Sequence, residues 1–237
     1  MRKLIALELA KNNIRIYLIA VAVITVVMVG FTYFYASVPY MSNDEEFMDY
    51  SSIFVLVSML ITVSFCILSA VMLSKFIVEE YTGNRAILLF SYPVSRRKIL
   101  AAKLIFVLAF TFVGLIVSSF VTFSIFGAIE HFAPIVHIGV FAEALAQVMK
   151  FVLIESLLAM AIAVIALFFG FLKASIPVTI VASIILCALA SSLSNLAMNA
   201  LQPIATVPPM LVAVVSPLLV ATLLVVVLMR KVEGMEV

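Results

Sequence analysis

Tryptophan is absent from this chain, and charge is scarce: only 11% of its 237 residues are Asp, Glu, Lys or Arg. A soluble globular domain carries about 25% charged residues, so the shortfall excludes that class. Apolar side chains make up 66% of the chain, and mean hydropathy is +1.34. The formal net charge of +2 gives a nucleic-acid role no electrostatic support. Cysteine is nearly missing too. Cys66 and Cys187 each sit inside an apolar run, which provides neither a disulfide framework nor a metal-ligand spacing. Without tryptophan, anchoring at a membrane interface falls to Tyr17, Tyr33, Tyr35, Tyr40, Tyr50, Tyr81 and Tyr92.

Chemical motifs are equally sparse. No G-x-x-x-x-G-K-[ST] occurs, so the chain cannot cradle nucleotide phosphates in the P-loop manner. There is no H-E-x-x-H. His131 and His137 lie six apart in a loop, a weak spacing for a metal, and no metal ligand is assigned. No Ser/His/Asp set can be assembled on one membrane face. The expectation is a non-enzymatic chain with no cofactor of its own.

What remains is a series of apolar runs. A spanning helix needs about 20 apolar residues, and the runs predict six spans, near 16–38, 52–74, 104–127, 149–172, 174–196 and 210–229. Residues 174–229 carry no charge and are too long for one helix. Pro203, Pro208 and Pro209, preceded by Asn195, Asn199 and Gln202, mark the break. The stretch 130–150 is less apolar and reads as a short surface loop or half-helix. The N-terminus is not expected to be a cleaved signal, because Glu8, Lys11 and Arg15 interrupt any h-region. Residues 1–15 suggest an amphipathic helix on the membrane surface, or alternatively a basic overhang of the first span.

Six spans place both termini on one side. With the termini cytoplasmic, the basic residues fall inside: Arg2, Lys3, Lys11, Arg15, the six in residues 75–103, Lys173, Arg230 and Lys231. Only Lys150 falls outside, with the acidic Asp44, Glu45, Glu46, Asp49, Glu130 and Glu143. The reading is an all-α integral membrane protein forming one transmembrane domain over 1–237.

The informative stretch is residues 75–103, KFIVEEYTGNRAILLFSYPVSRRKILAAK. The second span is expected to run on as a helix through residues 75–81. Gly83 then permits a sharp turn, and residues 85–90 form a short apolar or amphipathic piece. Tyr92 precedes Pro93 and is pushed out of the helical region. Ser95 can cap a new helix that starts with Arg96 and Arg97 and enters the third span. Topology alone explains the basic cluster. It does not explain Glu79-Glu80, Gly83 or the apolar AILLF between charged flanks, and such an exposed apolar patch usually has a partner.

This string resembles the cytoplasmic loop between the second and third spans of type-2 ABC transporter permeases. In that family an acidic residue precedes a Gly-containing turn and a short coupling helix. A Ser/Thr-x-Pro-x-Ser-Arg signature then leads into the third span, with a Lys one to two turns later. The matching positions are Glu79 or Glu80, Gly83, Ser91, Pro93, Ser95, Arg96 and Lys103. Asn84 stands where the family often has Thr. The resemblance implies the transmembrane subunit of an ABC exporter in the cell membrane. It would pair with a second permease, its own copy or a sister, and with two copies of an ATPase subunit that binds the ATP and Mg. Glu79, Glu80, Gly83, Arg85, Ser91, Tyr92, Pro93, Ser95 and Arg96 would couple to that ATPase. The cargo implied is hydrophobic or amphipathic, a peptide, lantibiotic or drug-like compound; sodium export is an alternative.

Two polar stripes mark a candidate substrate path. Ser58, Thr62, Cys66 and Ser69 fall at helical spacing in the second span; Cys187, Ser191, Asn195 and Asn199 do so in the fifth. Hydroxyls that bond their own helix and small residues that permit close packing are the alternative reading. Glu155 is the one acid within a span, a functional position by default; a buried structural partner from another span is the alternative. Glu79-Glu80 also raises an intramembrane hydrolase of the CAAX-protease kind. That motif needs its arginine where Asn84 stands, whereas here it is Arg85, and its membrane-embedded histidines are missing. A passive channel or scaffold is the third possibility.

Overall fold

The computed structural model describes residues 13–37, 50–81, 96–132, 140–173, 175–201 and 209–233. Among these residues every element is helical, and there are six long helices: α1 (Ile14–Ser37), α2 (Tyr50–Leu73), α3 (Arg96–Phe132), α4 (Phe141–Lys173), α5 (Ile176–Leu201) and α6 (Pro209–Glu233). Helices are what such a sequence must form. In hydrocarbon each backbone N–H and C=O needs a partner, and an α-helix supplies it within the segment. Among the described residues four stretches are long and apolar enough to cross a membrane: Ile14–Ser37, Ser52–Val78, Arg97–Phe132 and Phe141–Lys173.

α2 does not stop at Leu73. It continues through a π-helical turn, Ser74–Val78, into a last α-helical piece, Glu79–Tyr81. The π register is visible where the Glu79 N–H donates to the Ser74 carbonyl, five residues back. The third and fourth helices are longer than a span requires, at 37 and 33 residues. The stretch 130–150, expected as a loop or half-helix, is helical up to Phe132 and again from Phe141. Ala142, Glu143, Ala144, Leu145, Ala146 and Gln147 are strong helix formers, which favours helix over loop in this stretch. In α5, Pro177 sits in the first turn, where its missing N–H is harmless.

The chain falls into two compact units. One, the aromatic unit, comprises Ile14–Phe65 and Val113–Ser156. Its core is built on Phe54, which is fully buried. The Phe54 ring lies 4.6 Å from that of Phe123 and meets Phe126 and Phe141 edge-on at 6.0 and 5.7 Å. A Cβ on Gly127 would run into the Phe141 ring, so the missing side chain lets that ring lie against α3. Gly114 does the same for Phe65, whose Cε1 would stand 2.8 Å from an added Cβ. α1 is joined to α3 by a hydroxyl pair, Thr25 Oγ1 and Ser118 Oγ, 2.9 Å apart.

The other, the basic unit, comprises Met1–Asn13, Cys66–Phe112 and Leu157–Val237. Its α4 segment buries Ala159, Ala161, Ala163 and Ala166, small residues that let helices approach closely. α4 turns into α5 at Ser175, whose N–H donates to the Gly170 carbonyl at 3.2 Å. A Cβ on Gly170 would collide with Thr179 on α5. α5 packs against both α6 and the π turn. Of the described lysines and arginines, only Arg15 and Lys150 belong to the aromatic unit.

Candidate functional site

The site forms where residues 75–103 leave and re-enter the apolar helices. Lys103 lies two turns into α3 and is 1% exposed. A lysine in such surroundings must bring its charge to acceptors. It has two: its Nζ donates to the Phe76 carbonyl at 2.9 Å and forms an ion pair with the Glu80 carboxylate. Phe76 stands in the π turn and Glu80 in the short helical piece that follows. The π turn matters here, because a widened helical turn displaces carbonyls from the regular i→i−4 ladder, and such turns often mark functional positions. The neighbouring positions along the two helices, Phe76, Ile77, Val78, Leu100, Leu104 and Val107, are buried too, and the Phe106 ring lies 6.4 Å from that of Phe76. One ammonium thus fastens the end of the α2 extension to the start of α3, the two helices that flank residues 82–95.

The sequence-predicted coupling residues divide accordingly. Glu79 is half-exposed, while Glu80 is buried on Lys103. Arg96 is the first residue of α3, as expected for a helix capped by Ser95. Gly83, Arg85, Ser91, Tyr92, Pro93 and Ser95 lie outside the described residues, and so does the side chain of Arg96. Sequence reasoning named Lys103 and Glu80 separately and missed that they pair. The signal was available: a lone lysine inside an apolar helix needs an anion, and Glu80 is the nearest acid on the preceding helix.

The candidate path residues also divide. Ser58, Thr62 and Glu155 come together within the aromatic unit, where Thr62 Oγ1 lies 2.7 Å from Glu155 Oε2. All three are buried. The stripe's hydroxyls also reach their own helix: Ser58 to the Val55 carbonyl at 2.8 Å, Thr62 to that of Ser58 at 3.0 Å, and Ser69 to that of Cys66 at 2.9 Å. Lys150 is exposed and does not pair with Glu155. Ser191, Asn195 and Asn199 belong to α5, with side chains outside the described residues. A further polar contact escaped the sequence reading: the Tyr50 hydroxyl donates to Glu130 Oε1 at 3.3 Å. Burial, with the Glu130 carboxylate beside it, raises the Tyr50 phenol above its ordinary range. Among the described residues no cluster of His, Cys, Asp or Glu could hold a metal ion.

Long apolar helices, and a basic end where a buried ion pair ties two of them together, define a multi-pass helical membrane protein. The chain belongs to the ABC-2 family of transporter proteins, whose sequence model matches residues 4–189. It is therefore a transport permease, and members of this family generally work with an ABC ATPase at a membrane. A relative, the uncharacterized protein YcbO of Bacillus subtilis (strain 168), is 26% identical over 195 residues, which is 81% of this chain and 84% of YcbO. No solved structure matches the chain.

Proposed function

We propose that this chain is the permease subunit of an ATP-driven exporter, and that residues 82–95 dock onto its ATPase. The observation that carries this reading is the Lys103–Glu80–Phe76 tie. A loop pushed by an ATPase does mechanical work only if its two ends move together. The tie makes the end of the α2 extension and the start of α3 one body, so a shift of the loop passes into both helices as a rigid displacement. Glu79, Gly83, Arg85, Ser91, Tyr92, Pro93, Ser95 and Arg96 form or flank the docking surface. Glu80 acts from behind it, through Lys103.

The permease crosses the cell membrane of a bacterium or archaeon six times with both termini cytoplasmic. The gathering of basic residues in one unit supports that orientation. It works as a dimer with its own copy or a sister permease, above two ATPase copies that hold the ATP and Mg. The path takes the polar positions Ser58, Thr62, Glu155, Ser191, Asn195 and Asn199. The uncharged α5 and the nearly uncharged α6 favour a hydrophobic or amphipathic cargo, a peptide, lantibiotic or drug-like compound, over a small hydrophilic ion.

The test is co-purification of the full chain, solubilised from its native membrane, with mass spectrometry of what accompanies it. A P-loop ATPase is expected with the wild-type chain and is lost with Glu79→Ala and Arg85→Ala combined. Those two positions are chosen because changing Glu80 would also strand Lys103. A chain that purifies without any ATPase overturns the proposal.

A further inference from the structure

We infer that Glu155, together with Thr62, is a proton-binding site inside the membrane, at which the carboxyl takes up and releases one proton. Glu155 is 8% exposed, Thr62 6% and Ser58 1%. The partners of the carboxyl are hydroxyls: Thr62 Oγ1 at 2.7 Å, with Ser58 as the second hydroxyl beside it. From α2 these two are the groups that face it. On its own helix the nearest charged residue is Lys150, exposed and five positions back. Among the described residues no titratable or charged group contacts it from any other element. An ionised carboxylate in such surroundings is costly without a cation, so the site must hold either a proton or a metal cation to be neutral.

The geometry favours the proton. The Thr62 hydroxyl has one hydrogen and two oxygen neighbours, the Ser58 carbonyl at 3.0 Å and Glu155 Oε2 at 2.7 Å. It can donate to only one of them. When Glu155 is a neutral acid, its O–H donates to Thr62 Oγ1, and Thr62 donates onward to the Ser58 carbonyl. When Glu155 is ionised, the Thr62 hydroxyl turns and donates to the carboxylate. The Ser58 carbonyl then keeps its place in the helix ladder. Both protonation states are thus hydrogen-bonded without moving a heavy atom, which is what reversible proton uptake requires. The separation suits an O–H···O bond. A hard metal cation would want about six or more oxygen ligands, and the site offers a carboxyl and two hydroxyls, one of which already donates to the Val55 carbonyl.

In the exchange one O–H bond of the carboxylic acid breaks, the carboxylate remains, and the proton passes to water when the transport cycle admits it. That use in a cycle rests on the permease reading above; the binding of the proton does not.

The test is infrared difference spectroscopy of the full chain in nanodiscs, titrated from neutral to alkaline pH with and without sodium or potassium chloride. The wild-type chain is expected to show the carbonyl stretch of a protonated carboxylic acid at neutral pH. That band is lost in Glu155→Gln, retained in Glu155→Asp, and moved in Thr62→Val, where the hydroxyl partner is gone. Salt leaves it unchanged. A neutral-pH spectrum identical in the wild type and Glu155→Gln overturns the inference, as does a band that vanishes when sodium chloride is added, which would mark a metal-cation site. Should Glu155→Gln fail to fold, an unmoved band in Thr62→Val overturns it equally. A chain that shows the band but captures no ATPase upholds the proton site and overturns the coupling proposal instead.

Discussion

The ammonium of Lys103 is buried between the carboxylate of Glu80 and the carbonyl of Phe76. Twenty-three positions separate Lys103 from Glu80 in the chain, yet they close the base of the charge-rich segment. The pair belongs to the helices that flank residues 82–95, not to those residues themselves. Glu80 is therefore a poor candidate for hydrolytic chemistry: its carboxylate is committed to a lysine.

Removing one partner leaves the other charge buried alone. Lys103→Met or Glu80→Leu is expected to cost about 3–5 kcal/mol, whereas the combined Lys103→Met, Glu80→Leu chain recovers most of that loss. Unfolding of the detergent-solubilised variants reads this directly. Additive losses in the double variant would mean that the two residues are not partners.

The combined variant should also separate stability from coupling. An apolar pair holds the helices together but lacks the directional bond to the Phe76 carbonyl. ATPase still co-purifies with it, while ATP-driven turnover in reconstituted vesicles falls several-fold. Full turnover would show that packing alone carries the motion.

Gly127 is expected to reject any side chain. A methyl group there meets the Phe141 ring, and overpacking of this kind costs about 1–3 kcal/mol. Gly127→Ala should therefore lower the melting midpoint, and Phe141→Leu in the same chain should restore part of it. No rescue would place the strain elsewhere.

Phe54 touches three phenylalanine rings and the Tyr50 ring. Truncation to Ala is expected to cost about 3–5 kcal/mol. Phe54→Leu keeps most of the volume and loses less. Equal losses in the two variants would show that ring geometry, not volume, holds the aromatic unit.

The apolar runs around Ile61, Leu115 and Leu167 were legible as helices because apolar length is a strong signal in a chain this short of charge. The continuation of α2 to Tyr81 and the start of α3 at Arg96 were legible too, since Ser95 and Pro93 are local punctuation. The π turn was not, because nothing in SKFIV distinguishes a wide turn from an ordinary one; the Lys103 ammonium that meets its Phe76 carbonyl comes from 27 positions away. The helical start of α4 at Phe141 was hidden by Glu143 and Gln147, whose polarity reads as loop in a membrane chain although their helix propensity is high. Glu155 was singled out at once as an acid within a span. Its partner could not be found from spacing, because Thr62 is 93 positions away.

Residues 82–95 are proposed to meet an ATPase. Photo-crosslinking tests this most directly, with a photoreactive residue placed at Arg85 and, as a control, at Asp44 in the expected outer loop. Illumination of native membranes should join the ATPase to the chain carrying the residue at position 85 and not to the chain carrying it at position 44. An ATPase that co-purifies with the chain but forms no adduct from position 85, or is captured equally from position 44, would contradict the account.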